Sequence, residues 1–582
     1  MFKLFRYLKN YKVQSIIGPV FKLIEVCFEL AVPMVMANII DIGIANGDKG
    51  YIFKMGGLLV LLGVLGLVCA LTAQYFAAKA SLGFASALRS DLFRHINRFS
   101  YAEIDSIGSH TLVTRMTADI NQTQTGVNLL LRLFLRSPFI VIGSIIMSFT
   151  VSVKLTAVFL IVVPCLAAVI YAVMHITVPK YKQVQKELDK TNLLTAETLT
   201  GARIIRAFSR QSDEENEFLE NIASLNRKQI ITGRISALLN PATYVIMNIA
   251  VIAIIWFGGK SVYSGSITQG EVIALVNYMS QILLALLMLA LLITNITKMQ
   301  ASASRINDVF DIKPGITDGD KAAEEIIPNA CAVEFKNVSF SYPSSGENTL
   351  QNITLSASRG EMIGIIGGTG SGKTTLVNLI PRFYDCTDGE VLVDGVNVKE
   401  YTLEGLRRKI GVVPQKAVLF KGTVRENLKW RNENATDEEM ESALEAAQAK
   451  DFVDATDEGL DHRIVQEGKN LSGGQRQRLT IARALVGDPK ILILDDSASA
   501  LDLATDARLR RAVSRISREK GTTVFIVSQR ISSIKSADRI AVLDDGRLAG
   551  LGTHSELLNS CEVYKEICLS QLSGKELSEH EN

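Results

Sequence analysis

The chain has 582 residues, a formal net charge of +2, 48% hydrophobic residues and a positive mean hydropathy. That length exceeds one core, so two or more domains are expected, and the near-even charge balance gives no global bias toward nucleic acid. The seven cysteines (27, 69, 165, 331, 386, 561 and 568) are odd in number and form no Cys-x-x-Cys pair, so they support neither a disulfide framework nor a zinc site. A reducing cytosol for the soluble part is the plain reading.

The first residues place bases at 3, 6, 9 and 12 among Phe2, Leu4, Phe5 and Leu8. Lys22, Glu25 and Glu29 follow where a signal peptide would continue apolar, so this start reads as a retained amphipathic helix on the inner membrane surface. Six hydrophobic spans come next, at 15–40, 53–78, 129–150, 153–175, 240–259 and 272–298. Each is long enough to cross a bilayer core of roughly 30 Å. The first contains Pro33 and three charges, Lys22, Glu25 and Glu29, whose spacing puts them on one helix face. Intramembrane charges raise a functional suspicion; the favoured expectation is that the span is extended and these groups sit near water or pair with one another. Tyr75, Phe76 and Tyr278 read as packing or interface anchors ahead of cavity lining.

Segments 41–52, 151–152 and 260–271 are short and poor in bases, whereas 79–128 and 176–239 are long and basic, with Arg89, Arg115, Lys182 and Arg234 among them. Charges near the span ends set the N-terminus and long loops on the cytoplasmic side of the cell membrane. Helical patterning inside the long loops predicts membrane helices extended into the cytoplasm. Composition shifts at Pro314–Lys321, and from Ala332 strand and helix signals alternate to about residue 570. The expected organisation is a membrane domain over 1–310, a linker over 311–330, an α/β domain over 331–572 and a disordered tail over 573–582.

Within the α/β domain, Met362–Leu376 reads MIGIIGGTGSGKTTL. An apolar strand leads into Gly367, Gly368, Thr369, Gly370, Ser371, Gly372, Lys373, Thr374 and Thr375, and a helical pattern follows. This is G-x-x-x-x-G-K-[ST] in the strand–loop–helix setting that it requires. Glycines let several backbone N–H groups converge on phosphate oxygens, Lys373 adds a point charge for the β- and γ-phosphates, and the Thr374 hydroxyl is placed to ligate Mg²⁺. A second apolar strand, Ile491–Leu494, ends in Asp495 and Asp496, where Asp495 is placed to hold Mg²⁺ and the next acid to polarise an attacking water. Between them stands Leu471-Ser472-Gly473-Gly474-Gln475, followed by a basic helical run.

The glycine loop, LSGGQ and the ILILDD strand together resemble the ATP-binding cassette (ABC) nucleotide-binding domain over about residues 330–570, and six preceding spans resemble an ABC exporter half-transporter. The resemblance implies an all-α six-helix transmembrane domain followed by an α/β P-loop NTPase domain, and an ATPase coupled to transport with ATP and Mg²⁺. It implies that Tyr342 stacks on adenine, that Gln415 contacts Mg²⁺ and water and senses the membrane domain, and that Asp502 lies at the dimer interface. Glu467 and Gly468 resemble a loop that contacts cytoplasmic helices, while Glu103–Asp105 and Gly201–Phe208 resemble the coupling-helix regions. In this family two cassettes dimerise head to tail, so Leu471–Gln475 would serve the partner's ATP.

Two positions depart from the family pattern. Its catalytic Glu is here Asp496, and its switch His is here Gln529. The six histidines (95, 110, 175, 462, 554 and 580) fall elsewhere. Aspartate draws the carboxylate back by about 1–1.5 Å, and misplacements of that size cost ~10²-fold in rate. Gln529 cannot become a cation near the γ-phosphate. Both changes spare binding and impair chemistry, which is the pattern of the degenerate-site subunit in heterodimeric bacterial multidrug exporters. The expectation is one subunit of such an exporter, moving drug-like, lipid-like or peptide substrates outward with a second half-transporter, in contact with membrane lipid and without nucleic acid. Its rivals are a homodimer, an importer with this architecture, and an ATP-gated channel or sensor.

Overall fold

The computed structural model describes residues 2–321, 327, 329–342 and 346–571. The expected disordered tail, 573–582, lies outside them, as do parts of the expected linker. The chain divides into two compact units. One runs to Asn97 and resumes from His110 to Ile312; the other comprises Arg98–Ser109 and the chain from Lys313 onward.

The first unit is helical. Among the described residues, six helices are long and apolar enough to cross a membrane: Lys3–Ile44, Lys49–Ile96, Ser109–Val151, Val153–Thr200, Gln211–Tyr263 and Gln269–Asp311. Each contains one of the apolar spans and extends well past the ~20 residues that a bilayer requires. The extension follows from polar, helix-compatible flanks that hydropathy does not register. Pro138 follows a break at Phe134–Leu135, where its ring removes an N–H and crowds the preceding turn. The core of this unit includes Phe159, Leu166, Ile254, Tyr278 and Ile282. Tyr278 is packing, as expected: it is fully buried and its hydroxyl donates to the Leu30 carbonyl at 2.7 Å. Gly270 is needed for closeness, since a Cβ there would stand 2.4 Å from the Ala37 carbonyl oxygen.

The first-span charges pair, but not all with one another. Lys22 holds Glu25 at 2.6 Å within its own helix, whereas Glu29 binds Arg136 of the third long helix at 3.0 Å. A lone charge in this setting would be costly, so pairing stabilises the bundle. The basic start, Phe2–Tyr11, is helical as expected, and part of its apolar face is covered by protein: Leu4 is buried and Tyr7 packs edge-on against Phe84 at 6.4 Å.

The second unit is α/β. Its strands are β1 (Val333–Phe340), β2 (Leu350–Ala357), β3 (Met362–Gly367), β4 (Asp388–Val393), β5 (Val396–Asn397), β6 (Ile410–Val413), β7 (Gly422–Thr423), β8 (Arg463–Ile464), β9 (Ile491–Asp495), β10 (Thr523–Val527), β11 (Arg539–Asp544) and β12 (Arg547–Gly552). One sheet has the order β2-β1-β4-β5 and is antiparallel. The main sheet has the order β12-β11-β3-β10-β9-β6, parallel except for the β12 edge. Every residue of β3, β9 and β10 is buried, which is why they read as unbroken apolar runs. Phe335, Ile363, Leu376 and Phe525 belong to one core cluster, and Leu479, Leu492 and Val524 belong to another with the helical segments around Met440 and Ile481. Strands β3, β10 and β9 are neighbours, so the loops at their carboxyl ends converge, as in other open parallel sheets that bind ligands there.

Candidate functional site

The loop after β3 closes on itself. Gly372 has φ +91°, and a Cβ on it would stand 2.6 Å from the Leu350 side chain, so only glycine makes this turn without strain. Helix Lys373–Leu379 follows at once. The Lys373 ammonium donates to the carbonyls of Gly367 at 3.0 Å and Gly368 at 2.5 Å, with Ser371 Oγ at 3.4 Å. Burial pulls its pKa down, while Asp496 and Asp495 push the other way.

The Thr374 hydroxyl donates to Asp495 Oδ1 at 2.9 Å, joining the glycine loop to the end of β9. Burial raises the Asp495 pKa against that bond. Asp496 leaves the strand with φ +43°, a left-handed conformation that aspartate tolerates better than most residues. Its N–H donates to the Val527 carbonyl at 2.9 Å, tying the exits of β9 and β10, and its Oδ2 accepts from Gln415 Nε2 at 3.4 Å. Burial raises its pKa too, opposed by Gln415, Arg530 and Lys373.

These groups line one cleft of about 330 Å³. Of the expected residues it gathers Tyr342, Thr369, Gly370, Gly372, Lys373, Thr374 and Thr375, with Gln415, Asp495, Asp496 and Gln529 on the facing walls. Gly367 and Gly368 lie behind the loop as acceptors for Lys373, together with Ser371. The Tyr342 hydroxyl lies 3.0 Å from Thr375 Oγ1, so that ring is fixed beside the loop. Thr349 and Ser528 also line the cleft and carry no sequence motif that would have marked them.

Leu471–Gln475 and Asp502 do not line it. Ser472 caps helix Gly473–Leu485 in a reciprocal pair with Gln475, and both Ser472 and Gly473 are exposed. Asp502 caps helix Leu503–Lys520 by accepting from the Thr505 N–H at 2.9 Å. Exposed Glu467 has φ +61° beside buried Gly468. In the first unit, residues 201–208 include a short helix, Ala202–Ala207, with Ile204 and Phe208 exposed.

A connection that sequence reasoning missed runs from the second unit's helix Tyr101–Ile107 to the cleft. Tyr384 donates to Asp105 Oδ2 at 2.7 Å and packs edge-on against Tyr342 at 5.3 Å, while Tyr101 lies 4.7 Å from Phe383, ring centre to ring centre. Burial first, and then the Asp105 hydrogen bond, push the Tyr384 phenol well above its ordinary pKa. Tyr384→Phe deletes only the hydroxyl. It is expected to speed amide hydrogen exchange across Tyr101–Ile107 by roughly tenfold, the equivalent of about 1.4 kcal/mol from one charge-assisted bond. Unchanged exchange would show that the rings alone hold this helix.

Comparison with known proteins gives a consistent result. The profile described as ABC transporter transmembrane region matches residues 15–286, and the one described as ABC transporter matches residues 350–499. The chain is 38% identical over 581 residues to the uncharacterized ABC transporter ATP-binding protein YfiB of Bacillus subtilis, covering 100% of both chains. It is 34% identical over 470 residues to the ATP-dependent lipid A-core flippase of Desulfotalea psychrophila, covering 81% of each. The structure of a bacterial Atm1-family ABC exporter with ATP bound shares the fold, with TM-score 0.78 at 23% identity over 97% of this chain and 99% of that one.

Proposed function

The chain belongs to the ABC transporter family, and we propose that it is one half of a heterodimeric exporter whose own site binds ATP but turns it over slowly. Family membership makes it a multi-pass membrane protein and an ATPase coupled to transport that works as a dimer. The observation that carries the slow-site reading is the pair of side chains at the catalytic end of the cleft, Asp496 and Gln529, in place of a glutamate and a histidine.

The residues fit Mg·ATP. Thr374 and Asp495 already meet at 2.9 Å and Gln415 reaches the same wall, so these three would hold Mg²⁺, which neutralises phosphate charge when bound. Tyr342 takes the base by stacking. Lys373 exchanges the carbonyls of Gly367 and Gly368 for phosphate oxygens, a gain because an anion offsets the burial of its charge. Asp496 is left to orient the attacking water with a carboxylate set back from the reacting atoms. Ser472 and Gly474 serve the partner's ATP. Their position outside this chain's own cleft supports that assignment.

The nucleotide-binding unit and N-terminus face the cytoplasm in this reading. Transport is outward, and the cargo is drug-like, lipid-like or peptide; the flippase relative favours an amphiphile. The partner supplies a full catalytic pair, Glu and His, and a signature that departs from LSGGQ. The test is ATPase of the full-length chain purified alone and then with its co-purified partner. Alone it is expected to fall well below ordinary transporter rates of about 1–10 s⁻¹, and the pair to reach them. A homodimer working at those rates overturns the proposal.

A further inference from the structure

Helix Glu562–Gln571 ends beside the loop that carries Gln529. Tyr564, Cys568 and Gln571 are four and three residues apart, so they share one face of that helix. Tyr564 and Cys568 are fully buried, and the Tyr564 hydroxyl lies 2.7 Å from His554 Nδ1. The helix is therefore anchored before its last turn. Gln571 then spans the loop: its Nε2 donates to the Gln529 carbonyl at 2.7 Å, and its Oε1 accepts from the Ile531 N–H at 3.0 Å. A backbone carbonyl can only accept and an N–H only donate, so the two partners fix which way the amide faces.

We propose that Gln571 is a positioning residue for the nucleotide in this chain's cleft: one side-chain amide from the last helix fixes the backbone on both sides of Arg530 and so aims Gln529 at the γ-phosphate end. Three observations converge. Gln529 lines the cleft. The Arg530 N–H is held by Ser528 Oγ at 2.9 Å, so positions 529–531 are all constrained. The same β10 exit also accepts the Asp496 N–H, so movement of this loop reaches both departures from the family pattern. The chemistry calls for glutamine. Glutamate offers only acceptors when ionised, which would leave the Ile531 bond intact and set a carboxylate against the Gln529 carbonyl. This role goes beyond the slow-site reading and does not depend on the hydrolysis rate.

The test uses the full-length transporter with its partner in lipid nanodiscs. It is loaded with a radiolabelled, non-hydrolysable azido-ATP analogue, washed, and photo-crosslinked at timed intervals. Label on this chain's band reads retention in its own cleft. Gln571→Glu is expected to release label roughly three- to tenfold faster, the size of one lost hydrogen bond, with label on the partner's band unchanged. Gln571→Ala should behave alike. Gln529→Ala should also speed release, and adding Gln571→Glu to it should change nothing further, because the two act in series. Parent-like release in Gln571→Glu overturns the proposal, and if the melting temperature falls at the same time the glutamine only secures the helix. Additive effects in the double variant overturn it as well. Failure of the slow-site reading would appear separately, as rapid product formation from hydrolysable ATP.

Discussion

Replacing Asp496 with Glu and Gln529 with His together is expected to speed hydrolysis in this chain's own cleft by roughly 10²-fold. The added methylene moves the carboxylate toward the cleft by about 1–1.5 Å, the displacement that a general base needs to reach a water in line with the γ-phosphate. The backbone opposes this modestly. At φ +43° the conformation suits aspartate better than glutamate, but that cost falls on folding stability in ground and transition states alike, so the rate gain remains. The Gln529→His change supplies a donor that can become a cation, on a backbone already held by Gln571. It also leaves a signature: the double variant should acquire a titration near ~6.5 in its rate profile that the parent lacks. The measurement is steady-state ATPase of the assembled transporter with the partner's catalytic acid neutralised, so that this site alone is read. A double variant no faster than its parent would mean that these two side chains do not set the rate.

What could be read from the sequence was local. The glycine loop, the strand ending in two aspartates and the Ser472 signature are each contained in a few residues, and the fold keeps each as one turn or one helix start. The six spans were legible because a bilayer demands contiguous apolar residues. Their extension beyond a bilayer was legible only as helical patterning in the long loops, and the exact ends were not, since hydropathy does not register polar helical flanks. The tertiary pairings were also invisible. Tyr384 meets Asp105 across 279 positions, Glu29 meets Arg136 across 107, and Gln571 meets Gln529 across 42. None leaves a periodicity or a motif, because each depends on where two elements pack. The left-handed backbone of Asp496 is similarly silent, as aspartate occurs in many conformations.

Lys373→Ala is expected to weaken ATP binding to this chain by at least about 10²-fold. Charge-assisted bonds to phosphate are worth about 1.5–3 kcal/mol each, and the ammonium of Lys373 makes more than one. Without nucleotide the effect on stability has the opposite sign. Burial lowers the Lys373 pKa from its ordinary 10.5, so the folded chain holds this proton less tightly than the unfolded chain. Stability therefore rises with pH between the lowered value and 10.5, and Lys373→Met should remove that slope while sparing the fold. The consequence in the dimer is larger. If cassette closure requires ATP in both clefts, then in the proposed heterodimer an empty cleft here is expected to slow turnover at the partner's catalytic acid, although no residue of that site has changed. Asp496→Asn should not do this, since it leaves binding in place and, on the slow-site proposal, removes a carboxylate that contributes little. The slowly exchanged nucleotide would thus act as a clamp whose occupancy is coupled to the distant site. Steady-state ATPase of the two variants paired with the unaltered partner, together with nucleotide retained after rapid washing, distinguishes these roles. Full turnover in the Lys373→Ala dimer would remove the clamp. An Asp496→Asn loss as large as that from neutralising the partner's acid would restore two working sites.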